Sequence, residues 1–191
     1  MVAVERLVEA YRAFAANGAS GAPAWLKELR DGAIARFDTL GFPTTKQEAW
    51  RFTSVVPIAD TLFELAPAPR SPLPARADIE PFLLGDVAPH RLVFVNGHFS
   101  ALLSRVTGLP KGVRVESLAA ALTTDPASIR EHLGKYAAFT DRPFAALNTA
   151  FVRDGAFVHV PAKVTVEEPI QLLFLATPLT GGARLVAHPR N

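Results

Sequence analysis

Apolar residues recur at helical spacing in the early part of the chain and in short dense blocks towards its end. Val4, Leu7, Val8, Tyr11 and Phe14 fall at i, i+3, i+4, i+7 and i+10, one face of a helix that Asn17-Gly18 should close. Pro23 suits the first turn of a second helix, whose stripe is Leu26, Leu29, Ala33, Phe37 and Leu40. Gly41 ends that stripe and Pro43 prevents its continuation. The two stripes either pack on each other and on the rest of the chain or receive a partner helix. Thr45 and Glu48 have capping-box spacing and predict a helical turn, followed by Trp50 and Phe52 as large anchors beside Arg51. Residues 66–90 then carry six prolines and few large apolar side chains, which reads as a linker or a surface-hugging loop.

Alternation replaces the helical period after that. Arg91–Ser100 reads strand, Asn96-Gly97, strand, and Asn-Gly between apolar runs is the strongest short hairpin signal. β character continues at Leu102–Val106 and Val113–Val115. Two helices are expected next, over Glu116–Leu122 and over Pro126–Ala138 with Asp125 as N-cap. Three apolar runs follow: Ala156–Val160, Val164–Val166 and Ile170–Leu175. Turn signals fence them at Asp154-Gly155, Pro161 and Glu168-Pro169. Ala156, Val158 and Val160 should face inward with Val164 and Val166, while Phe157, His159 and Thr165 face outward. The third run is apolar on both faces and calls for cover on both sides. Asp154-Gly155 could close a hairpin, whereas Pro161 makes a corner. Short strands and corners without intervening helices suit a β-helix or a β-sandwich, and spacing leaves both open.

Composition narrows the classes. The 191 residues are 49% hydrophobic, enough for one good core or two small domains. Net charge is +2 and the arginines are scattered, so no basic patch argues for nucleic acid. The start lacks the apolar core of a signal peptide, and no apolar run approaches a membrane span. A soluble, cytoplasmic protein is the default expectation. The chain has no cysteine, which excludes disulfides, thiolate metal ligands and a cysteine nucleophile.

The residues resemble a known family in two places. PFAALNTAFVRDGAFVHVPAKVTVEEPI is similar to the core-domain entry of the SufB/SufD proteins of iron–sulfur cluster assembly. Phe144, Leu147, Asn148 and Ala150 carry the first part of that pattern, Asp154, Gly155, Phe157, Val160 and Pro161 the second, and Val166, Pro169 and Ile170 the third. Pro43, Thr44, Lys46, Glu48, Trp50, Arg51, Phe52 and Thr53 match an amino-terminal signature that leans towards the SufD branch, and LVFVNGHFS matches a strand-turn of the family. The resemblance implies an α+β chain: a helical amino-terminal domain, then the first rungs of a right-handed parallel β-helix. The expected parts are a helical domain at 1–66, a Pro-rich linker at 67–90, a mixed segment at 91–142 and the start of the β-helix core at 143–191. Family chains are about twice as long, so Asn191 reads as a truncation. The resemblance implies a non-catalytic scaffold subunit working with a SufB-like subunit and a SufC-like ATPase, whose contacts belong to the missing carboxy-terminal half. It implies no cofactor on this fragment and no family site residue that can be carried over, with cluster assembly a property of the full complex.

Chemistry in the remaining residues is thin. His90, His98, His132, His159 and His188 form no H-x-x-H or H-E-x-x-H pair. His159 with Glu167 and Glu168 could form a His–carboxylate site if strands stack, against a solvated face. Asp141 and Asp154 could be paired carboxylates, but both sit where turns need them. Asn148 could be a ligand or could satisfy backbone groups at a corner. Trp50, Arg51 and Phe52 could hold a ligand or simply pack. No nucleophile elbow, P-loop or dinucleotide fingerprint is present. No residue is therefore assigned a catalytic, cofactor or metal role. A β-helix polysaccharide-active enzyme would need a stripe of Asp, Arg and aromatic residues along its rungs, and Phe157, His159, Thr165 and Gln171 do not make one. A stand-alone protein-interaction module is the other alternative.

Overall fold

The computed structural model describes residues 3–18, 21–63, 65–66 and 74–177. In chain order the elements are α1 (Ala3–Gly18), α2 (Ala24–Leu40), α3 (Val56–Asp60), α4 (Arg76–Ile79), β1 (His90–Val95), β2 (His98–Phe99), β3 (Arg114–Ser117), α5 (Leu118–Thr124), α6 (Pro126–His132), α7 (Pro143–Ala150), β4 (Ala156–His159) and β5 (Ile170–Leu175). They form two compact units, and each is discontinuous in sequence. The first comprises Met1–Glu64 and Asp125–Val152, the second Leu65–Thr124 and Arg153–Asn191. The class is α+β, as expected. Gly181-Gly182, which reads in sequence as a turn, and Arg184–Asn191, which reads as the start of another extended run, lie outside the described residues.

The first unit is helical. The expected stripes supply its core: Tyr11 and Phe14 from α1 and Leu26, Ala33 and Phe37 from α2 are buried. α7 completes it with Ala146, Leu147, Ala150 and the adjoining Phe151. The rings of Tyr11, Phe14 and Phe151 form a triangle with centroids 5.5 to 6.1 Å apart. Each such side chain, fully buried, contributes ~1.5–3 kcal/mol of transfer free energy. Gly41 stops α2 as expected. Its φ of 63° is a backbone state that costs glycine little, and its N–H donates to the Phe37 carbonyl at 2.8 Å. Arg30 is buried at 3% exposure, outside the predicted stripe. Its Nε donates to the Val152 carbonyl at 2.8 Å and its guanidinium lies 5.4 Å from the Phe14 ring centre. Asp125 caps α6 as expected, accepting from the Ser128 N–H and hydroxyl. The helix is shorter than expected: it stops at His132, and Gly134 follows with φ of 78°.

In the second unit β1 is central and buried along its whole length. The Asn96-Gly97 turn pairs it antiparallel with β2, both turn residues having positive φ as a two-residue hairpin requires. On its other side β1 pairs with β5 in parallel, from His90 opposite Ile170 to Val95 opposite Leu175. Side chains alternate between two cores. Val93 and Val95 meet Ile79 and Leu103, with Leu173 and Leu175 against them; Leu92 and Phe94 meet Val115, with Ala156 and Ile170. Phe94 and Phe174 stack across the parallel pair at 5.1 Å. β3 and β4 form a separate antiparallel pair.

Several expectations are corrected. Pro143–Ala150 is a helix of the first unit, because Pro143 starts a helical turn and Ala146, Leu147 and Ala150 give it a buried face. Asp154-Gly155 closes no hairpin; the segment before it is α7, and the Asp154 carboxylate is committed to backbone donors elsewhere. Val164–Val166 is irregular. Pro161 opens a turn, closed by the Val164 N–H donating to the Pro161 carbonyl, with Lys163 at φ of 63°. Val158 and Val160 are not inward-facing but 43% and 42% exposed. Glu116 and Ser117 belong to β3, since they pair with Phe157 and Ala156, so the following helix starts at Leu118. Leu102–Leu103 is a turn, and Arg105 touches β1 through a single bridge to Arg91. Thr45 caps nothing: the short 3₁₀ turn starts at Glu48, and the side chain that reaches back is that of Gln47, accepting from the Thr44 N–H. Rungs of a β-helix are not seen among the described residues, which hold one mixed three-stranded sheet and one two-stranded sheet.

Candidate functional site

The first unit carries a cavity of about 620 Å³ whose walls come from two stretches far apart in sequence. One is the loop after α2. Its tight turns are held by Gln47 N–H to the Thr44 carbonyl, Trp50 N–H to the Gln47 carbonyl and Thr53 N–H to the Trp50 carbonyl, all near 3 Å. The other is the start of α7. Pro143 holds Arg142 in an extended conformation (φ −119°, ψ 95°) and pre-sets the first helical turn, so Phe144 follows at a fixed place. Trp50 and Phe144 meet with ring centres 5.4 Å apart. Phe42 continues the row at 6.0 Å from Phe144, and Phe37 lies 5.3 Å beyond it in the α2 core. The aromatic wall is therefore anchored in the helical core. Glu48, Gln47, Asp141 and Arg142 complete the lining. Glu48 is exposed, with an Arg51 nitrogen at 4.0 Å, and Asp141 and Arg142 are exposed as well.

The sequence candidates fall as follows. Of the Trp50, Arg51 and Phe52 group, only Trp50 lines the cavity. Phe52 is no anchor: it is 89% exposed, with the Arg51 guanidinium 5.2 Å over its ring. Asp141 stands at the cavity. Asp154 belongs to the other unit and is buried. The Asp154 carboxylate accepts from the backbone N–H groups of Phe99 at 3.2 Å, Ala119 at 3.1 Å and Gly155 at 2.8 Å. It ties β2, the first turn of α5 and the start of β4 into one knot. Asn148 lies within α7, half-buried, rather than at a strand corner.

The histidines are scattered. His90 is buried on β1 with its Nδ1 unbonded, and His98 Nε2 lies 3.3 Å from the Ala66 carbonyl. His132 Nδ1 is 2.5 Å from the Tyr136 hydroxyl, with the two rings stacked. His159 is exposed opposite Arg114, and no hydrogen bond or ion pair joins it to Glu167 or Glu168. His188 lies outside the described residues. Among the described residues no group of three or more His, Asp or Glu is placed to hold a metal ion. No helix among them is long and apolar enough to cross a membrane.

The cavity was only partly legible in the sequence. Trp50 and Asp141 were singled out, one as a packing aromatic and the other as a turn residue. Gln47 and Arg142 gave no signal, because each is polar and exposed and acquires a role only when α7 meets the loop.

Both stretches that build this wall carry the sequence resemblance noted above. A profile of the SufBD protein N-terminal region matches residues 1–172, and the chain belongs to that family. An iron–sulfur cluster assembly SufBD family protein of Synechocystis is 33% identical over 173 residues, covering 87% of this chain and 37% of the relative. A chloroplastic SufBD family protein of Arabidopsis thaliana is 26% identical over 166 residues, covering 80% of this chain and 29% of the relative. The iron–sulfur cluster assembly protein SufB of Bacillus subtilis is 39% identical over 64 residues, 34% of this chain and 14% of that protein. The match spans little more than a third of the longest-covered of these relatives. It supports the family that SufB and SufD share, and does not single out SufD.

Proposed function

We propose that the chain is the amino-terminal part of a non-catalytic, SufD-like scaffold subunit of an iron–sulfur cluster assembly complex, acting in the cytoplasm. The observation that carries this is the family match over residues 1–172, together with the Synechocystis relative, itself described as an iron–sulfur cluster assembly protein. The SufD branch, rather than SufB, is favoured by the run Pro43–Thr53 described above. A SufB-like subunit and a SufC-like ATPase are the proposed partners, engaged through parts of the protein beyond these residues. The cluster is cargo of the complex; this chain, with no thiolate, holds none. A parallel β-helix is the proposed continuation of the second unit. The in-register parallel pairing of β1 with β5 and the Phe94–Phe174 stack support that reading, since both repeat side chains at equivalent heights. The test is affinity purification of the natural protein from its own cells under low oxygen, read by mass spectrometry. SufB-like and SufC-like partners are expected. Recovery of the protein alone, or a purified chain whose iron–sulfur absorption survives chelation, overturns the proposal.

A further inference from the structure

Arg91 of β1 is a buried charge that no carboxylate pairs among the described residues. It is only 9% exposed. Its Nε donates to the Leu103 carbonyl at 2.9 Å, and its guanidinium makes no other hydrogen bond or ion pair with the described residues. The remaining N–H donors of the fork are left over. Neither cross-strand neighbour supplies an acceptor of charge. In the parallel ladder Arg91 lies opposite Gln171, whose amide is neutral and already committed to Phe82 and Leu84. On its other edge Arg91 lies opposite Arg105. The Arg91 N–H donates to the Arg105 carbonyl at 2.6 Å, and the Arg105 N–H donates to the Arg91 carbonyl at 2.9 Å. Residues paired in this way put their side chains on one face, where like charges directly opposite are destabilising. Val93 and Val95 continue that face, Ile79 of α4 packs against them, and α4 brings a third guanidinium, Arg76. Glu80, the carboxylate that acts on Arg91, lies 3.5 Å from the Arg76 Nε and is taken up there. Burial first, and then Arg76 and Arg105, hold the Arg91 guanidinium below its ordinary range. Arg91 and Arg105 thus stand together without a compensating charge. A carboxylate would offset one of the two, whereas a phosphate dianion offsets both. Guanidinium forks also match the paired oxygens of a phosphate group. We propose that Arg91 and Arg105, with Arg76 beside them, bind the dianionic phosphate group of a small solute, either inorganic phosphate or a phosphate monoester. Such a site is independent of the assembly role and stands or falls separately from it.

The test titrates the 191-residue chain with sodium phosphate, methyl phosphate and sodium acetate. The pH is ~8, where a phosphate group is dianionic, and sodium chloride holds the ionic strength constant so that screening does not vary. Amide and arginine Nε–H resonances are followed together with the melting temperature. Both phosphates should give saturable shifts centred on Arg76, Arg91 and Arg105 and should raise the melting temperature. Acetate should bind about fivefold more weakly. Inorganic phosphate binding at least as tightly as the ester marks a site for the free ion, and tighter binding of the ester marks a site for a phosphorylated solute. Arg105→Gln is the decisive variant, because this side chain is exposed and the bridge to β1 is made by its backbone. It should weaken phosphate about fivefold. In phosphate-free buffer it should raise the melting temperature, since it relieves the like-charge pair. An arginine with a merely structural role would instead lower the melting temperature with and without phosphate alike. Arg76→Gln should weaken phosphate only about twofold, because Glu80 already offsets that charge. Four results each overturn the proposal: no saturation, acetate binding as tightly as phosphate, shifts centred elsewhere, or unchanged phosphate affinity in the Arg105→Gln protein.

Discussion

Removing the carboxylate of Asp154 is the sharpest test of how the second unit is held. Asp154→Ala leaves three backbone donors, on Phe99, Ala119 and Gly155, without their acceptor, at a site only 9% exposed. Hydrogen bonds to a charged group contribute ~1.5–3 kcal/mol each, and the contacts at 3.1 and 3.2 Å belong at the low end of that range. The Gly155 contact is between chain neighbours and constrains little that the chain does not already fix. The two long-range bonds therefore set the loss at ~3 kcal/mol, about a fifth to three fifths of an ordinary domain's stability. For a chain of this size that corresponds to a fall of about 6–12 °C in melting temperature. Asp154→Asn keeps one acceptor oxygen but turns an NH₂ towards a donor, and should lose ~2 kcal/mol. Urea denaturation followed by far-ultraviolet circular dichroism measures both losses. Amide exchange should rise selectively at Phe99 and Ala119. An Asp154→Ala protein within ~0.5 kcal/mol of the parent, or unchanged protection at those amides, would refute the argument.

Other expectations follow from single contacts. Phe151→Ala removes the ring shared by Tyr11 and Phe14 and should cost ~3–5 kcal/mol by chemical denaturation, whereas Phe151→Leu should cost under half of that. Gly134→Ala places a methyl 2.9 Å from a Leu29 terminal carbon at a φ of 78° and should cost ~1–2 kcal/mol, read from the same melts. The Tyr11 hydroxyl donates to Asp31 at 2.6 Å, and Lys27 holds the other carboxylate oxygen. Burial, and then the bond to Asp31, push the Tyr11 hydroxyl well above its ordinary range, so its contribution is present below pH ~10 and fades as pH rises beyond that. Lys27 first, and then Tyr11, hold Asp31 below the usual carboxylate range, so that contribution is present above pH ~4 and fades as the solution is acidified. Tyr11→Phe should flatten the alkaline limb of a stability–pH curve; an unchanged limb rejects the assignment.

The parts legible in sequence were those decided within a few residues. The α1 and α2 stripes, Gly41 as a stop, Asp125 as a cap and the Asn96-Gly97 turn each rest on local spacing or local φ. The parts that escaped depend on partners distant in sequence. Asn96 was read as a turn residue, yet its side-chain amide also brackets Thr177, donating to the hydroxyl at 2.9 Å and accepting from the N–H at 2.8 Å. Gln171 was read as an outward residue. Its amide pairs with Phe82 and Leu84 as a strand backbone would, accepting from the Leu84 N–H and donating to the Phe82 carbonyl. Arg30 lies outside the predicted stripe of α2, yet it is buried and its Nε donates to the Val152 carbonyl, 122 positions away. Val164–Val166 shows the converse. Its β-branched residues favour a strand, but the turn at Pro161 commits the local backbone before a ladder can form.

The same contrast bears on which stretch organises the second unit. The run from Pro143 to Ala176 is dense in apolar blocks, yet its first part folds with the helices and its strands lie at the margin: Leu172 and Phe174 remain 43% and 39% exposed. β1 is the strand buried from end to end, with a core on each face and a neighbour on each edge. Its pairing with β2 closes across two residues and costs little entropy. Its pairing with β5 closes a loop about five doublings longer than that two-residue one, an added ~3 kcal/mol. The cross-strand contacts that offset this, the Phe94–Phe174 stack among them, contribute only ~0.2–1 kcal/mol each. The β5 ladder must therefore draw on the whole row from Ile170 to Leu175 and on the Asn96 and Gln171 brackets at its two ends. Of the two pairings of β1, the hairpin with β2 closes at the smaller entropic cost and the ladder with β5 at the larger.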